Sequence, residues 1–224
     1  MRRFGIPFTF PLLLRPLVRP AVTRLSSPDT VFFTFDDGPT PGVTETAVKI
    51  LKNFGATATF FLIGDKVNKH SALARNLAAA GHGLGNHTFN HADAWKMSAD
   101  SYMQQISLAA LVMRKHGLPL SGWFRPPYGH ITPKLLRRIK QRGCRTALWT
   151  HLTRDYDSSV DPLRAAHIIK RRLRPGDIIV FHDSRKAQPG LEIILPRLLE
   201  AVYARGWKVK ALPSFSINPN QADL

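Results

Sequence analysis

The stretch VFFTFDDGPT, residues 31–40, ends a strongly apolar run on two adjacent acids. The segment VFFTF is typical of a buried β-strand, and the Gly38-Pro39 pair after the acids marks a turn. Neighbouring residues of a strand point to opposite faces, so Asp36 or Asp37 must face the interior or a cleft. A buried carboxylate is costly unless a cation, hydrogen-bond donors or a metal ion compensates it. The sequence therefore predicts a compensated acidic site where this strand ends.

Strand-like and helix-like segments alternate from this stretch onward. The predicted strands are VFFTF (31–35), ATATFFLIG (56–64), HGLGNHT (82–88), the start of GWFRPPYG (122–129), CRTALWT (144–150), DIIVFHD (177–183) and WKVKAL (207–212). The predicted helices are 42–55, 68–82, 98–117 with Ser98 as N-cap, 132–143 with Pro133 at its first position, 161–176 capped by Asp161, and 191–206 interrupted by Pro196. About seven βα units with short connections favour a parallel sheet, open or closed into a barrel.

The length of 224 residues suits one α/β domain, which we place at residues 29–213. Residues 1–28 read as a basic and apolar arm, and residues 214–224 as a loose tail. The apolar run near the start is too short to span a bilayer, although its mixture of Phe, Leu and Arg fits a membrane surface. We expect a cytoplasmic or membrane-peripheral protein, with an export signal in the arm, and hence secretion, as the alternative.

The charge is strongly basic, with 32 Lys and Arg against 15 Asp and Glu, a formal net charge of +17. Such a balance favours anionic partners such as an anionic membrane or a cell-wall polymer, and a generally basic, solvated surface is the other interpretation. Nucleic acid is not an expected partner, because no nucleic-acid module or aromatic–basic alternation is visible. The single cysteine, Cys144, excludes an intrachain disulfide and fits a buried structural thiol.

Polar motifs follow the predicted strands at their carboxyl ends. In a parallel α/β barrel the catalytic groups gather at that rim. The motifs are Asp36-Asp37, His87 with His91, the segment 125–129, Asp155, and His182-Asp183.

The segment HTFNH places His87 and His91 four residues apart, and on one helical turn both rings would project to the same side. Alone, such a pair is more typical of histidines with an ordinary structural role than of metal ligands. Together with Asp37 it forms a two-histidine, one-carboxylate set, which indicates either a zinc hydrolase or an iron(II) oxygenase. Hydrolysis also needs a base and an acid, and Asp36 and His182 favour that interpretation.

The ordered motifs TFDDGPT, GNHTFNH, FRPPYG, WTHLTRDYD and IIVFHDS together resemble the polysaccharide deacetylases, the carbohydrate esterases with a NodB-like domain. The resemblance runs from about Thr30 to Leu212. It implies a distorted (β/α)7-type barrel with fewer strands than a TIM barrel. It also implies metal-dependent removal of an N- or O-acetyl group from a sugar polymer or oligosaccharide, by a protein that we expect to be a monomer.

The resemblance implies a role for each matching residue. Asp36 would be the general base and His182 the general acid, oriented by Asp155. Arg125 would contact the catalytic carboxylate, and the backbone N–H of Tyr128 would help to bind the oxyanion. The implied metal ligands are Asp37, His87 and His91, with zinc as the expected metal and cobalt, nickel, manganese or iron as alternatives.

Two positions depart from the family pattern. Val180 stands where the family often has leucine, in the pocket for the acetyl methyl group, and Tyr156 stands where tryptophan is common. Trp95, just after the histidine motif, fits either stacking on a sugar ring or packing at the barrel rim. Two other functions stay open, namely hydrolysis of another non-peptide C–N bond and a basic, non-catalytic binding protein.

Overall fold

The structure, a computed structural model, describes residues 20–215. The strands are β1 (Thr30–Asp36), β2 (Thr59–Leu62), β3 (Gly83–Asn86), β4 (Leu120–Phe124), β5 (Arg145–Thr146), β6 (His151–Leu152), β7 (Ile178–His182) and β8 (Lys208–Lys210). The helices are α1 (Val43–Asn53), α2 (Gly64–Lys69), α3 (Ser71–Ala79), α4 (Ala99–Lys115), α5 (Pro133–Gln141), α6 (Pro162–Arg172) and α7 (Gln188–Tyr203). A short 3₁₀ turn covers Pro127–Gly129.

All strand pairs in the sheet are parallel. The strand order is β5-β4-β3-β2-β1-β7-β6, and β8 pairs with β1 beside this path. Because the strands are parallel, their carboxyl ends meet at one rim, and the helices return the chain to the opposite end. The predicted distorted (β/α)7-type barrel is confirmed.

Residues 20–25 bridge the two ends of the curled sheet. The backbone N–H of Val22 donates to the Thr146 carbonyl at 2.8 Å, and the N–H of Leu25 donates to the Gly176 carbonyl at 2.9 Å. This segment belongs to the sequence that we assigned to the N-terminal arm. The rest of that arm, residues 1–19, and the tail from residue 216 lie outside the described residues. Between residues 20 and 215, the helices are all too short or too polar to cross a bilayer.

Aromatic side chains of β1 organise the core. Phe35 stacks on Phe60 of β2 at a ring-centroid distance of 4.7 Å and on Phe181 of β7 at 5.3 Å. Each of these rings is fully buried, and such burial stabilises the fold by about 1.5–3 kcal/mol per side chain. The central three strands are therefore fixed against one another directly beneath the rim that carries the acids.

Three local expectations were wrong. The strand predicted at 144–150 shortens to β5, because the carbonyls of Ala147 and Leu148 accept hydrogen bonds from the buried Arg125 side chain. The second predicted helix splits into α2 and α3 at His70, which leaves helical geometry. The last helix continues through Pro196. There the Arg197 guanidinium supports the same turn by donating to the Ile193 carbonyl.

Positive side chains gather at the end of the barrel opposite the rim. The acids at that end, within the described part of the chain, are Asp29, Asp177 and Glu200. The helices that lead into the next strand have their carboxyl ends there, where cations complement the helix dipole. The cationic residues of the last helical turns and of the strand beginnings there include Lys52, Arg114, Lys115, Lys140, Arg145, Lys170, Arg171, Arg172, Lys208 and Lys210. We call this surface the cationic end.

Candidate active site

Asp36 and Asp37 both line one cleft, which a regular strand would not permit. Asp36 is the last residue of β1 and is buried, whereas Asp37 has left the strand with a φ of 81°. A positive φ is strained for a residue with a side chain. That backbone turn brings two successive carboxylates to the same side, and each has a different partner.

Arg125 compensates Asp36. Its guanidinium Nη1 donates to Asp36 Oδ1 at 2.8 Å and to Thr34 Oγ1 at 2.7 Å. Nε and Nη2 donate to the carbonyls of Ala147 and Leu148, and the group lies 4.2 Å from the Phe61 ring centroid. Arg125 is fully buried, so both charges of the pair are shielded from water and every hydrogen bond in the set matters.

Asp37 faces the two histidines. Its Oδ1 lies 3.2 Å from His91 Nε2 and 3.7 Å from His87 Nε2, and the three potential ligand atoms all lie within 4.8 Å of one another. The expected helical turn at 87–91 was wrong. The segment is a loop in which Thr88 and His91 have φ values of 65° and 59°, and these two turns aim both rings at Asp37.

The protonation of this cluster fits a divalent metal ion. The Nδ1–H of His87 donates a hydrogen bond to the Arg125 carbonyl at 2.8 Å. The other ring nitrogen, Nε2, faces Asp37 and keeps its lone pair available for a metal ion. Burial lowers the pKa of His87 to about 4, so the ring is neutral at neutral pH. Burial alone would raise the pKa of Asp37, but the His91 hydrogen bond and the nearby His182 charge hold it below its usual range. A neutral imidazole and an ionised carboxylate are the forms that bind metals.

His182 forms a second unit with Asp155. Its Nδ1–H donates to Asp155 Oδ1 at 2.7 Å, and its backbone N–H donates to Oδ2 at 2.8 Å. Burial would lower the pKa of His182, but the charge and hydrogen bond of Asp155 outweigh it and raise the pKa to about 9. His182 is the register partner of Asp36 on the neighbouring strand, so a cationic imidazole stands beside an anionic carboxylate.

The cleft encloses about 330 Å³ and opens at the rim. Tyr156 packs edge-on against His182 at 4.7 Å, and Val180 also lines the cleft, so both departures from the family pattern face the substrate space. Sequence reasoning gave no individual role to other lining residues, although all but Lys186 lie within the quoted motifs. These are Pro126, Trp149, Leu152, Ser184 and Lys186.

Asp183 supports the loop after β1. Its Oδ2 accepts a hydrogen bond from the Thr44 hydroxyl, and its carboxyl group lies against Gly38 so closely that a Cβ there would be 2.1 Å from Oδ2. Burial raises the pKa of Asp183 to about 7. This geometry indicates that Asp183 caps the loop after β1.

Tyr128 takes part through its side chain as well as its backbone. Its φ is 59°, and its hydroxyl lies 3.1 Å from His91 Nδ1. The hydroxyl contact was not anticipated from the sequence. The role of the Tyr128 backbone N–H at an oxyanion stays a prediction.

The fold is that of a barrel hydrolase with its polar groups on the strand ends. The polysaccharide deacetylase family model matches residues 24–147, more than half of the chain. The chain therefore belongs to the polysaccharide deacetylase family, and we class it as a hydrolase of that kind.

Named relatives agree with this assignment. A chitooligosaccharide deacetylase of Azorhizobium caulinodans is 31% identical over 199 residues, which cover 82% of this chain and 93% of that protein. A peptidoglycan-N-acetylglucosamine deacetylase of Bacillus cereus is 29% identical over 80% of this chain and 84% of its own length. A solved peptidoglycan N-acetylglucosamine deacetylase has a TM-score of 0.81 at 26% identity, covering 86% of this chain and 90% of the other.

The same fold also occurs without catalysis. A CE4-family pseudoenzyme from Bacillus anthracis has a TM-score of 0.77 at 22% identity, covering 89% of this chain and 69% of the other. That likeness concerns the fold alone. The activity of the present chain must therefore be argued from its own site residues.

We expect the protein to bind one divalent ion per chain at Asp37, His87 and His91. Titration of the metal-free protein with zinc, followed by calorimetry, should give one site. Asp37→Asn and His91→Gln should each weaken binding by about 100-fold or more, since loss of a residue that merely supports a ligand already costs 10–100-fold. His116→Gln changes a half-buried histidine after α4, away from the cluster, and should bind zinc like the wild type. Equal binding by all four proteins would place the metal elsewhere.

Proposed function

We propose that this protein uses a bound divalent metal, with zinc as the best candidate, to hydrolyse N-acetyl groups on a sugar polymer or oligosaccharide. The observation that carries the proposal is the paired set of opposite charges at the rim. Asp36 is ion-paired with Arg125, and His182 on the neighbouring strand β7 is hydrogen-bonded to Asp155 in the loop after β6, which favours the cationic form of the imidazole. A base and an acid side by side, next to a two-histidine, one-carboxylate cluster, are what amide hydrolysis requires.

Asp37, His87 and His91 would hold the metal. When bound there, a divalent ion acidifies a water molecule and polarises the acetyl carbonyl. Asp36 accepts the proton of the attacking water, and the oxygen adds to the carbonyl carbon. The carbon–nitrogen bond then breaks, and His182 gives its Nε2 proton to the departing amine. The products are acetate and a free amino sugar.

Other groups of the chain would stabilise the negative charge that develops on the former carbonyl oxygen. We assign the Tyr128 backbone N–H to the former carbonyl oxygen, since the positive φ of this residue sets an unusual backbone direction at the edge of the cleft. The hydroxyl of Tyr128 lies within hydrogen-bond distance of His91 Nδ1, so it also orients one proposed metal ligand. Val180 and Leu152 offer apolar wall for the acetyl methyl group.

An amine is a poor leaving group unless it is protonated, whereas a sugar hydroxyl leaves more readily. The strong pairing of His182 with Asp155 therefore favours an N-acetyl over an O-acetyl substrate. Relatives named as chitooligosaccharide and peptidoglycan-N-acetylglucosamine deacetylases support the same class of sugar.

With zinc or cobalt, the wild-type protein should release acetate and free amine in equal amounts from N-acetylated chitooligosaccharides or peptidoglycan fragments. Asp36→Asn should lower kcat by about 10²–10⁴-fold, because proton transfer by a positioned base contributes that much. Glu192→Gln, on the exposed side of α7, is the matched control and should keep full activity. Wild-type rates in Asp36→Asn would refute the assignment of the base, and acetate without amine would indicate an ester substrate.

The pH profile should report His182. The imidazole must be protonated to act as the acid, so kcat/KM should fall as the pH rises through its pKa of about 9. Asp155→Asn removes the charge that raises this pKa, and the basic limb should move to lower pH by one unit or more. Asp157→Asn, two residues away and paired with Arg154 instead, should leave the limb in place. An unchanged basic limb in Asp155→Asn would contradict the proposal that Asp155 raises the pKa of the catalytic acid His182.

We propose an anionic membrane as the partner of the cationic end. Because the rim lies at the other end of the barrel, the active site would then face away from the lipid. The supporting observation is the row Lys170, Arg171 and Arg172, which is exposed and has no acid within α6. A basic surface of this kind gains about 1 kcal/mol per cation near anionic lipid.

Sedimentation with vesicles tests this partner. The wild type should bind phosphatidylglycerol vesicles but not phosphatidylcholine vesicles, and added salt should release it. The double variant Arg171→Glu with Arg172→Glu should bind at least about tenfold more weakly. Lys134→Glu with Arg185→Glu changes the net charge equally but lies on the rim side, and it should bind nearly as the wild type does. Equal losses of vesicle binding in both double variants would show that net charge alone, and not the cationic end, determines the binding.

A further inference from the structure

Trp95 is an exposed aromatic residue in a fixed orientation. Its side chain is 66% exposed, yet its ring stacks on the His130 ring at a centroid distance of 3.5 Å and an angle of 9°. One face of the indole therefore rests on imidazole, and the other is open to solvent. The open face of the indole is therefore available for a ligand to stack on.

Asp93 holds both rings of this stack. Its Oδ1 accepts from His130 Nδ1 at 2.8 Å and from the backbone N–H of Trp95 at 3.0 Å. Lys96 Nζ lies 3.8 Å from Oδ2 of the same carboxylate. The three residues Asp93, Trp95 and His130 thus form a built unit, which we call the indole platform. A preorganised ring loses little conformational entropy when a ligand stacks on it.

The indole platform continues the active site outward. The His91 ring contacts the Tyr128 ring at 4.7 Å, and the Tyr128 ring lies 5.5 Å from the His130 ring. A row of rings therefore leads from the proposed metal ligands to Trp95. Trp95 and His130 do not line the cleft itself, which ends at Tyr128 and Gly129 on this side. The platform therefore lies just outside the cleft, next to Tyr128 at its edge.

We propose that the indole platform binds a second sugar ring of the same chain, outside the cleft. A pyranose presents an apolar face of C–H groups that packs on an open indole, while its hydroxyls stay in water. This inference rests on the proposed function, because it takes a sugar polymer as the substrate. It makes Trp95 a specificity residue that favours longer oligosaccharides over single sugars.

The test compares ligand lengths in a protein that binds without turnover. In the Asp36→Asn background, calorimetry with N-acetylated chitooligosaccharides of one to five units should show affinity rising with length. Adding Trp95→Ala should weaken binding of the tetrasaccharide by about tenfold, and the loss should be less than twofold for the monosaccharide. Trp95→Phe keeps an apolar ring and should lose less than about threefold. Leu111→Ala removes another exposed apolar side chain, on α4, and should not change the series.

Several outcomes separate the platform from the proposed function. Identical length series in the Trp95→Ala and parent proteins, or no binding at any length, would overturn the platform. His130→Ala removes the backing of the indole and should reproduce part of the Trp95→Ala loss, even if Trp95→Ala itself proves unstable. Acetate release is measured in parallel with Asp36 restored. No release from that protein would refute the deacetylase proposal, while a Trp95-dependent length series would still support the sugar site.

Discussion

The buried ion pair between Arg125 and Asp36 is the constraint on which the rest of the structure depends. One guanidinium reaches Thr34 and Asp36 on β1 and the carbonyls of Ala147 and Leu148 beyond β5. It therefore ties the centre of the sheet to its edge, across the interior. Removing one partner of such a pair costs about 3–5 kcal/mol, because the other charge is left buried and unpaired. The catalytic geometry and the curl of the barrel therefore share one set of hydrogen bonds.

The rim concentrates backbone strain where chemistry is proposed. Asp37, Thr88, His91 and Tyr128 all have positive φ values although none is glycine. Each costs about 1–3 kcal/mol and persists only where the surrounding structure over-determines it. The rigid element beneath them is the stacked aromatic core of β1, β2 and β7. Burial in that core offsets the strain and fixes the directions of the side chains above it.

The sequence predicted the parallel α/β barrel and the position of the polar motifs because apolar runs and turn residues report local structure directly. It predicted Asp36 and Asp37 as a compensated pair for the same reason. It did not predict how His87 and His91 converge. That convergence depends on positive φ at Thr88 and His91, and neither residue type signals it. The sequence also did not predict that Trp149 lines the cleft. Trp149 is placed there because β5 ends early, and it ends early because Arg125, distant in the chain, hydrogen-bonds to the carbonyl of Ala147.

The orientation of the helices links the two ends of the molecule. Helices that follow a strand begin at the rim, where acids such as Glu45, Asp65 and Asp100 lie in first turns, and helices that lead into the next strand end at the cationic end. The charges that complement the helix dipoles therefore give the protein an uneven charge distribution, with acids near the rim and cations at the opposite end. A fold that puts its cleft at the strand ends thereby puts its basic surface on the far side. Since a pseudoenzyme shares this fold, the fold alone does not confer catalysis. The proposed catalysis depends on a few rim residues with specific partners: Asp36 pairs with Arg125, His182 pairs with Asp155, and Asp37 faces two imidazoles.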